Sequence, residues 1–151
     1  MKLKINIKHI LFSLQFLCTF LALQACQSKL TPKPIKYGVD QCAYCKMTVS
    51  DARFGTQLIS KKGRVYNFDD VQCMIAYVKE QKIEKDAVAA FYLPDFESKN
   101  LVIAEEMFYL KSEALKSPMR GNIAAFSTEA DLIKVQGSLG GERISWDDLW
   151  K

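Results

Sequence analysis

The first 25 residues limit the fold most, because they have the pattern of an export signal, which does not form part of the mature domain. Three lysines within residues 2–8 give the chain a positive start, and residues 10–23 are predominantly apolar. This apolar segment is too short for an ordinary membrane-spanning helix, which needs roughly 20 apolar residues. We therefore expect residues 1–25 to be a signal peptide and the fold to be built from the rest of the chain.

The end of this signal predicts a lipid-attachment site. Residues 23–26, Leu-Gln-Ala-Cys, resemble the lipobox of bacterial lipoproteins, although Gln24 departs from the strictest form of that motif. Cys26 is then the lipidated N-terminus of the mature protein, and the polar residues 26–41 are a lipid-anchored flexible tether. The predicted location is the cell envelope, on a membrane and facing the periplasm or the exterior. A plain secretory leader and an uncleaved anchor remain as alternatives.

The composition of the exported part is that of an ordinary globular domain. The chain is 49% hydrophobic and 25% charged, with 21 basic and 17 acidic residues. Three of the basic residues lie in the signal peptide, so the exported part has 18 basic and 17 acidic residues and a net charge of +1. This balance leaves no basic patch of the kind that binds nucleic acid.

A weak internal repeat predicts an α+β domain. Residues 63–71 and 141–149 share a glycine, an alternating strand, an aromatic residue, two aspartates and an aliphatic residue. Met47 and Met119 each precede a phenylalanine by seven residues. The pattern indicates two strand–strand–helix-type units, packed as one compact exported domain. Their boundaries are residues 42–96 and 97–151. A chance match of turn and strand signals is the alternative.

Local patterns predict the elements of the first unit. Residues 65–68 alternate as a half-buried strand, and residues 87–93 form a continuous apolar strand. Asp69 or Asp70 is placed to cap the helix between them. One face of this helix is apolar at the spacing i, i+3, i+4 and i+7. Its residues are Val71, Met74, Ile75 and Val78.

In the second unit, residues 128–136 predict a short helix that begins after Ser127 and stops at Gly137. The paired acids Asp147 and Asp148 follow the second strand signal as Asp69-Asp70 follow the first. They are therefore interpreted as helix caps rather than as a catalytic pair.

Sulfur is the chemistry that the exported residues offer. The one histidine of the chain, His9, lies in the signal peptide, and histidine is the usual residue of acid–base catalysis and of catalytic zinc sites. Cys42, Cys45 and Met47 place two thiols and a thioether within six residues. These soft donors suit Cu(I), and Lys46 could lower the pKa of the neighbouring thiol. We therefore predict a Cu(I)-binding protein and not an enzyme.

Two other roles remain open for Cys42 and Cys45. In an oxidising compartment they could form a structural disulfide, which would leave a surface binding module without metal. They could also act as a thiol–disulfide oxidoreductase, although the flanking sequence lacks the strand-to-helix context of a thioredoxin-like motif.

Three further sulfur residues are candidates. Met119 lies in a turn-like segment, residues 117–122, where packing gives little reason for a thioether, so it is a predicted metal ligand opposite Met47 in the repeat. A core or loop methionine without a metal role is the alternative. Cys73 lies roughly opposite the apolar face of its helix, which predicts an exposed thiol or one that faces the other unit. Cys73 and Met74 are possible additional ligands, although the position of Met74 favours the core.

Taken together, these motifs resemble the NosL family, the accessory lipoproteins of nitrous oxide reductase assembly. The resemblance spans residues 42–149, and its most specific element is the cysteine–methionine segment at residues 42–47. The other matching segments are Arg53-Phe54, Gly63, Phe68-Asp69-Asp70, Cys73-Met74, residues 91–95, Ser117-Pro118-Met119, residues 124–126 and Gly140-Gly141.

The resemblance implies a lipid-anchored copper chaperone that binds Cu(I) and supplies the copper–sulfur cluster of nitrous oxide reductase in denitrification. The implied partners are that reductase and its maturation machinery. The implied fold is a pair of homologous strand–strand–helix–strand units, similar to part of organomercurial lyase. By position, the implied metal residues are Cys42, Cys45, Met47 and Met119, and Cys26 is the lipid site. Lys46 stands where family members commonly have glycine, which brings the backbone geometry before Met47 into question.

Overall fold

Two antiparallel sheets and two helices make up the part of the chain that the computed structural model describes, residues 30–151. The elements are β1 (Thr56–Ser60), β2 (Val65–Phe68), α1 (Val71–Lys79), β3 (Val88–Pro94), β4 (Leu101–Ile103), β5 (Phe108–Lys111), β6 (Ile123–Phe126), α2 (Glu129–Leu139) and β7 (Glu142–Ile144). Short 3-10 turns occupy Lys85–Ala87, Ala104–Glu106 and Asp147–Trp150. The predicted α+β class is confirmed.

The predicted signal peptide, residues 1–25, and the predicted lipid site, Cys26, lie outside the described residues. Neither helix in the described part has the length and apolar character that a membrane crossing requires.

The first sheet has the strand order β2-β1-β3-β4, and the second has the order β6-β5-β7. All named pairs of strands are antiparallel. The two sheets meet where Asp95, just after β3, forms a parallel bridge with Ala125 of β6. Because Tyr109 and Ile123 of the second sheet share a buried cluster with Leu58 and Phe68 of the first, one core joins the two halves.

Helix α1 lies against β1 and is positioned by its first turn. Asp70 is its N-cap: the carboxylate accepts the N–H of Gln72 at 2.9 Å, which satisfies one of the donors that a helix start leaves free. The predicted apolar residues Val71, Met74, Ile75 and Val78 are all buried. Cys73 is buried with them, so the buried face of α1 is wider at its N-terminal end than the sequence pattern indicates.

Helix α2 begins and ends later than predicted. Its N-cap is Thr128 rather than Ser127, and the Thr128 hydroxyl accepts the N–H of Asp131 at 3.1 Å. Gly137 lies inside the helix, and the helix ends at Gly140, which has a φ of 63°. The left-handed backbone that ends a helix is therefore provided by the second glycine, and Gly137 is tolerated at a modest cost.

The interpretation of Asp147 and Asp148 as helix caps is wrong. The 3-10 turn Asp147–Trp150 follows Trp146, which has no side-chain capping bond. Asp148 lies within the turn, and its carboxylate accepts the backbone N–H of Ser145 at 2.8 Å. The acid therefore fixes the chain before the turn instead of capping a helix.

The segment predicted as a free tether is in part attached to the domain. Ile35 is buried, with 8% of its surface exposed. The backbone of Lys33 exchanges two hydrogen bonds with the side-chain amide of Gln57, at 2.8 and 3.0 Å, and the hydroxyl of Tyr92 donates to the carbonyl of Leu30 at 2.5 Å. Residues 30–41 therefore belong to the folded part together with Cys42, because they satisfy buried polar groups of the sheet.

The predicted residue correspondence between the two units is also wrong. In both sheets the first strand lies between the second and the third. However, residues 63–71 contain β2, which precedes α1, whereas residues 141–149 contain β7, which follows α2. β4, which follows the predicted boundary at residue 97, pairs with β3 in the first sheet, and the boundary itself stays a prediction. That the units share an origin stays a prediction.

Candidate metal centre

Three cysteine sulfurs converge beside the N-terminal end of α1. The Sγ atoms of Cys42, Cys45 and Cys73 all lie within 4.8 Å of one another. Cys42 and Cys73 are buried and Cys45 is partly exposed, and all three are free thiols. The structure thus brings together the two cysteines of the predicted metal segment and adds Cys73, which was predicted only as a possible additional ligand.

A tight turn places Cys42 and Cys45 on the same side of the loop. The N–H of Cys42 donates to the carbonyl of Met47 at 2.8 Å, and the N–H of Lys46 donates to the carbonyl of Cys42 at 3.1 Å. Lys46 has a φ of 66°, the left-handed conformation that glycine adopts most easily. The question about backbone geometry before Met47 is therefore answered: lysine takes up the glycine-like conformation.

The loop is attached to the first sheet on both sides of the cysteines. The N–H of Ala43 donates to the carbonyl of Asn67 at 2.8 Å. The Asn67 side chain donates to Asp40 at 2.9 Å and accepts from the buried Gln57 amide at 2.8 Å. Cys42 is consequently held at the end of a hydrogen-bond chain that starts inside the sheet, which keeps its sulfur in place without metal.

The position of Cys73 corrects the sequence prediction. Cys73 was expected to be an exposed thiol or to face the other unit, but its side chain is buried beside the loop of residues 42–47. That loop covers the first turn of α1 from the side opposite the apolar stripe. The residue type was a usable signal, because cysteine is among the residues most often found fully buried.

The three thiols differ in their affinity for protons. A hydrogen bond from the Cys73 thiol lowers the pKa of Cys42 to about 5, against the effect of burial and with help from the backbone N–H groups of Asp69, Cys45 and Tyr44. Burial raises the pKa of Cys45. The hydrogen bond to Cys42, followed by burial, raises the pKa of Cys73 well above its usual range. The arrangement therefore favours the thiolate form at Cys42 and the thiol form at Cys45 and Cys73.

Lys46 does not act on Cys45 as predicted. Its ammonium group donates to the carbonyl of Ala43 at 2.7 Å, and the pKa of Cys45 is raised, not lowered. The thiolate of the cluster is Cys42, which has backbone N–H donors around its sulfur.

The two predicted thioether ligands lie on exposed loops. Met47 is 56% exposed and Met119 is 36% exposed. The backbone of Met47 closes the cysteine turn, and the N–H of Met119 donates to Asp70 Oδ2 at 3.2 Å. Both methionines are thus attached to the same end of α1, although they are not related by the predicted repeat. Met74 is fully buried in the core, which leaves its sulfur no free side.

Asp69 and Asp70 connect these loops to α1, a role that the sequence analysis did not foresee. Asp69 Oδ1 accepts the N–H of Ser50 at 3.1 Å, which holds the segment after Met47. Asp70 Oδ2 accepts the Ser117 hydroxyl at 2.5 Å in addition to the N–H of Met119. The sequence pattern of a helix cap does not predict such loop contacts, because an aspartate can cap a helix without contacting a loop.

The donor set fits a soft monovalent metal ion. A metal bound to three sulfurs at roughly 2.3 Å, the length of a zinc–thiolate bond, needs those sulfurs roughly 4 Å apart, and the three sulfurs here lie within 4.8 Å. Thiolate and thioether ligands select Cu(I) over harder ions. The geometry therefore permits a three-sulfur site with little movement of the chain.

Comparisons with known proteins point the same way. A model of the NosL family matches residues 35–151. Among solved structures, the chain is similar to the crystal structure of the copper chaperone NosL from Shewanella denitrificans, with a TM-score of 0.66 and 17% sequence identity, over 78% of this chain and 94% of that chain. At this identity the likeness establishes a shared fold. No curated protein matches the chain.

Proposed function

The chain belongs to the NosL family, and from this membership we propose that it is a metallochaperone that binds Cu(I) and delivers it to a copper enzyme outside the cytoplasm. The observation that carries the proposal is the convergence of the Cys42, Cys45 and Cys73 sulfurs within 4.8 Å of one another. A protein that binds and releases metal without catalysis, as the sequence predicts, agrees with this family.

The cluster can capture and release the ion by exchanging sulfur ligands one at a time. Cys42 is a thiolate before metal arrives, and a thiolate is the form that binds metal. Cys45 is the exposed member of the three, so an incoming sulfur from an acceptor can replace it first. The thioethers of Met47 and Met119, both on the surface, provide weaker neutral ligands for the ion as it leaves.

The acceptor and the location follow from the family resemblance. We propose nitrous oxide reductase, with its maturation machinery, as the acceptor, and a lipid on Cys26 as the membrane anchor. A membrane anchor keeps donor and acceptor in one thin layer of the cell envelope, which raises the effective concentration of each for the other.

A competition titration tests the copper site. Full-length protein, reduced and purified in detergent, is titrated with Cu(I) against a chromogenic chelator. We expect one ion per chain, and a loss of at least tenfold in affinity for Cys42→Ser and for Cys73→Ser. Met107→Leu serves as the control, because Met107 is a buried methionine outside the cluster. If the double variant Cys42→Ser/Cys45→Ser binds as tightly as the parent, the site is assigned to the wrong residues.

One observation favours thiol–disulfide exchange as a second function. The free Cys42 and Cys45 sulfurs lie within 4.8 Å of one another, and a lowered pKa such as that of Cys42 is a property of reactive thiols. An exchange assay distinguishes the two functions. A chaperone does not reduce a model disulfide at a measurable rate, whereas an oxidoreductase reduces it while its Cys42 and Cys45 thiols are oxidised to a disulfide. Mass spectrometry under the same conditions detects the bridged form.

A further inference from the structure

The carboxylate of Asp70 joins two parts of the molecule that the proposed site needs. The side chain is buried, with 1% of its surface exposed. Its Oδ1 atom accepts the N–H of Gln72 at 2.9 Å and so caps α1, the helix that carries Cys73. Its Oδ2 atom accepts the Ser117 hydroxyl at 2.5 Å and the N–H of Met119 at 3.2 Å.

Helix capping alone does not account for this use of a carboxylate. Serine, threonine and asparagine cap helices about as well with a single oxygen acceptor. A second acceptor oxygen on the same group is needed only because the loop of Met119 brings two more donors to it. Burying an ionised carboxylate is costly unless its oxygens are hydrogen-bonded, and here three neutral donors serve both of them.

The loop itself is held in a strained and close-packed conformation. Arg120 and Asn122 have φ values of 57° and 55°, which cost free energy in residues with a side chain. The Asn122 N–H donates to Ser117 Oγ at 2.8 Å and so completes the link to Asp70. A Cβ atom on Gly121 would lie 2.4 Å from Cγ of Gln72, so the loop packs directly on the first turn of α1.

The residue that precedes the cap of α1 also contacts the cysteine cluster. The backbone N–H of Asp69 donates to the Cys42 sulfur, and Asp69 is the residue next to Asp70. Asp70, which accepts the N–H of Met119, is therefore the chain neighbour of the residue that donates to Cys42. Strain in the loop, the absence of space at Gly121 and the shared carboxylate all serve to hold one exposed methionine at this end of the helix.

We propose that Asp70 is a positioning residue of the copper site, which holds the Met119 loop so that the thioether reaches an ion bound by the three cysteines. The inference rests on the proposed function, because it concerns the ligand set of that site. The inference adds that Asp70 makes Met119 available as a ligand. It also implies that the Met119 loop and α1 move together.

The variant Asp70→Asn separates the two roles of the carboxylate. Its amide oxygen can still accept the N–H of Gln72 and cap α1, but its NH₂ group now faces the N–H of Met119 and cannot accept from it. The helix is thus kept while the loop is released. Ser117→Ala is the second variant, for the case that Asp70→Asn does not fold, because it removes one loop contact and leaves the cap intact.

The measurement is Cu(I) affinity of the full-length protein by chelator competition, arranged as a double-mutant cycle with Met119→Leu. We expect Asp70→Asn to weaken binding by about tenfold when Met119 is present, as loss of an outer partner of a ligand does, and to have no further effect in Met119→Leu. Asp95→Asn is the matched control: Asp95 is also a buried carboxylate bonded to two backbone N–H groups, but it is not attached to the cluster, so stability falls and affinity does not.

Two results overturn the inference: equal effects of Asp70→Asn with and without Met119, or unchanged affinity in both Asp70→Asn and Ser117→Ala. A parent protein that binds no Cu(I) at all would instead remove the proposed function, so the two failures are distinguishable.

Discussion

Among single residues, Lys46 has an unusual backbone conformation in the turn of residues 42–47. Its φ of 66° lies in the left-handed region, where a side chain costs about 1 kcal/mol or more relative to glycine. The lysine offsets part of that cost through the bond from its ammonium group to the carbonyl of Ala43, which is exposed and therefore weak. The turn consequently keeps a backbone geometry that glycine adopts most easily.

Replacing this lysine by glycine is expected to stabilise the protein. We predict that Lys46→Gly raises the free energy of unfolding by about 0.5 to 1 kcal/mol, the strain released less the extra entropy of glycine in the unfolded chain. Urea denaturation measures the change. Lys62→Gly is the matched control: Lys62 is exposed in a turn without a positive φ, so glycine there lowers stability. A destabilised Lys46→Gly variant would show that the lysine contacts outweigh the backbone strain.

The unequal thiol pKa values predict how many protons Cu(I) displaces. The pKa of Cys42 is about 5, whereas those of Cys45 and Cys73 are raised. Between pH 6 and 8, binding as three thiolates should therefore release about two protons, and the apparent affinity should increase by roughly two log units for each unit rise in pH. Calorimetry in buffers of different ionisation enthalpy counts the protons. Release of none would mean that the buried thiols do not bind the metal as thiolates.

At the scale of the elements, helix α1 organises the site. Its apolar face could be predicted from spacing, since Val71, Met74 and Ile75 fall where a helix of period 3.6 buries them. Cys73 could not be placed in the same way, because a loop from elsewhere in the chain covers its side of the helix. The apolar period of a helix indicates the side that packs against one neighbouring element. The candidate metal centre depends on a second neighbour, the loop of residues 42–47, which covers another side of α1.

A buried acid links the two sheets in a similar manner. Asp95, at the end of β3, accepts the N–H of Ser98 at 2.7 Å and the N–H of Ser127, ahead of α2, at 2.8 Å. Burial raises the pKa of Asp95, but the hydrogen bonds from Ser98 and Ser127 outweigh burial and hold it at about 2. The ionised acid therefore stabilises the junction between the halves.

The sign of the pH effect follows from this lowered pKa. The unfolded value is about 3.9, so the contribution of Asp95 is complete above about pH 4 and is lost as the pH falls toward 2. We predict that Asp95→Asn lowers the free energy of unfolding by about 2 kcal/mol at pH 7 and by much less near pH 2 to 3. Denaturant titrations at both pH values measure the difference. Glu97→Gln, with an exposed side chain and a long contact of 3.9 Å to Lys134, is the control and should change little. Equal losses for Asp95→Asn at both pH values would contradict the assignment.

For the molecule as a whole, the class of the fold and the cysteine pair could be predicted from the sequence, but the contacts of residues 30–41 and the order of the elements in the second unit could not. Residues 30–41 were interpreted as a tether because they are polar and show no period. Their role is instead to satisfy the Gln57 side chain and to bury Ile35, and neither contact has a local sequence signal. The predicted match of residues 63–71 with residues 141–149 also lacks a reliable local signal. The same turn, strand and acid pattern occurs before the helix of the first unit and after the helix of the second.

The attachment of residues 30–41 can be measured directly. We predict that a chain beginning at residue 42 is less stable by about 3 kcal/mol or more than one beginning at residue 30, because burial of Ile35 is lost and Gln57 loses its two hydrogen bonds to Lys33. Urea denaturation of the two chains gives the difference. Equal stability would mean that the segment is a tether after all.

The central claim is that Cu(I) is bound by sulfur alone, with Cys73 as one of the ligands. X-ray absorption spectroscopy of the copper-loaded full-length protein tests it most directly. We predict an edge typical of Cu(I) and a first shell of sulfur only, with three cysteine sulfurs near 2.3 Å and the weaker thioether of Met119, reduced by one sulfur in Cys73→Ser and unchanged in Met107→Leu. A shell that contains nitrogen or oxygen in the parent protein, or that is identical in Cys73→Ser, would contradict the account.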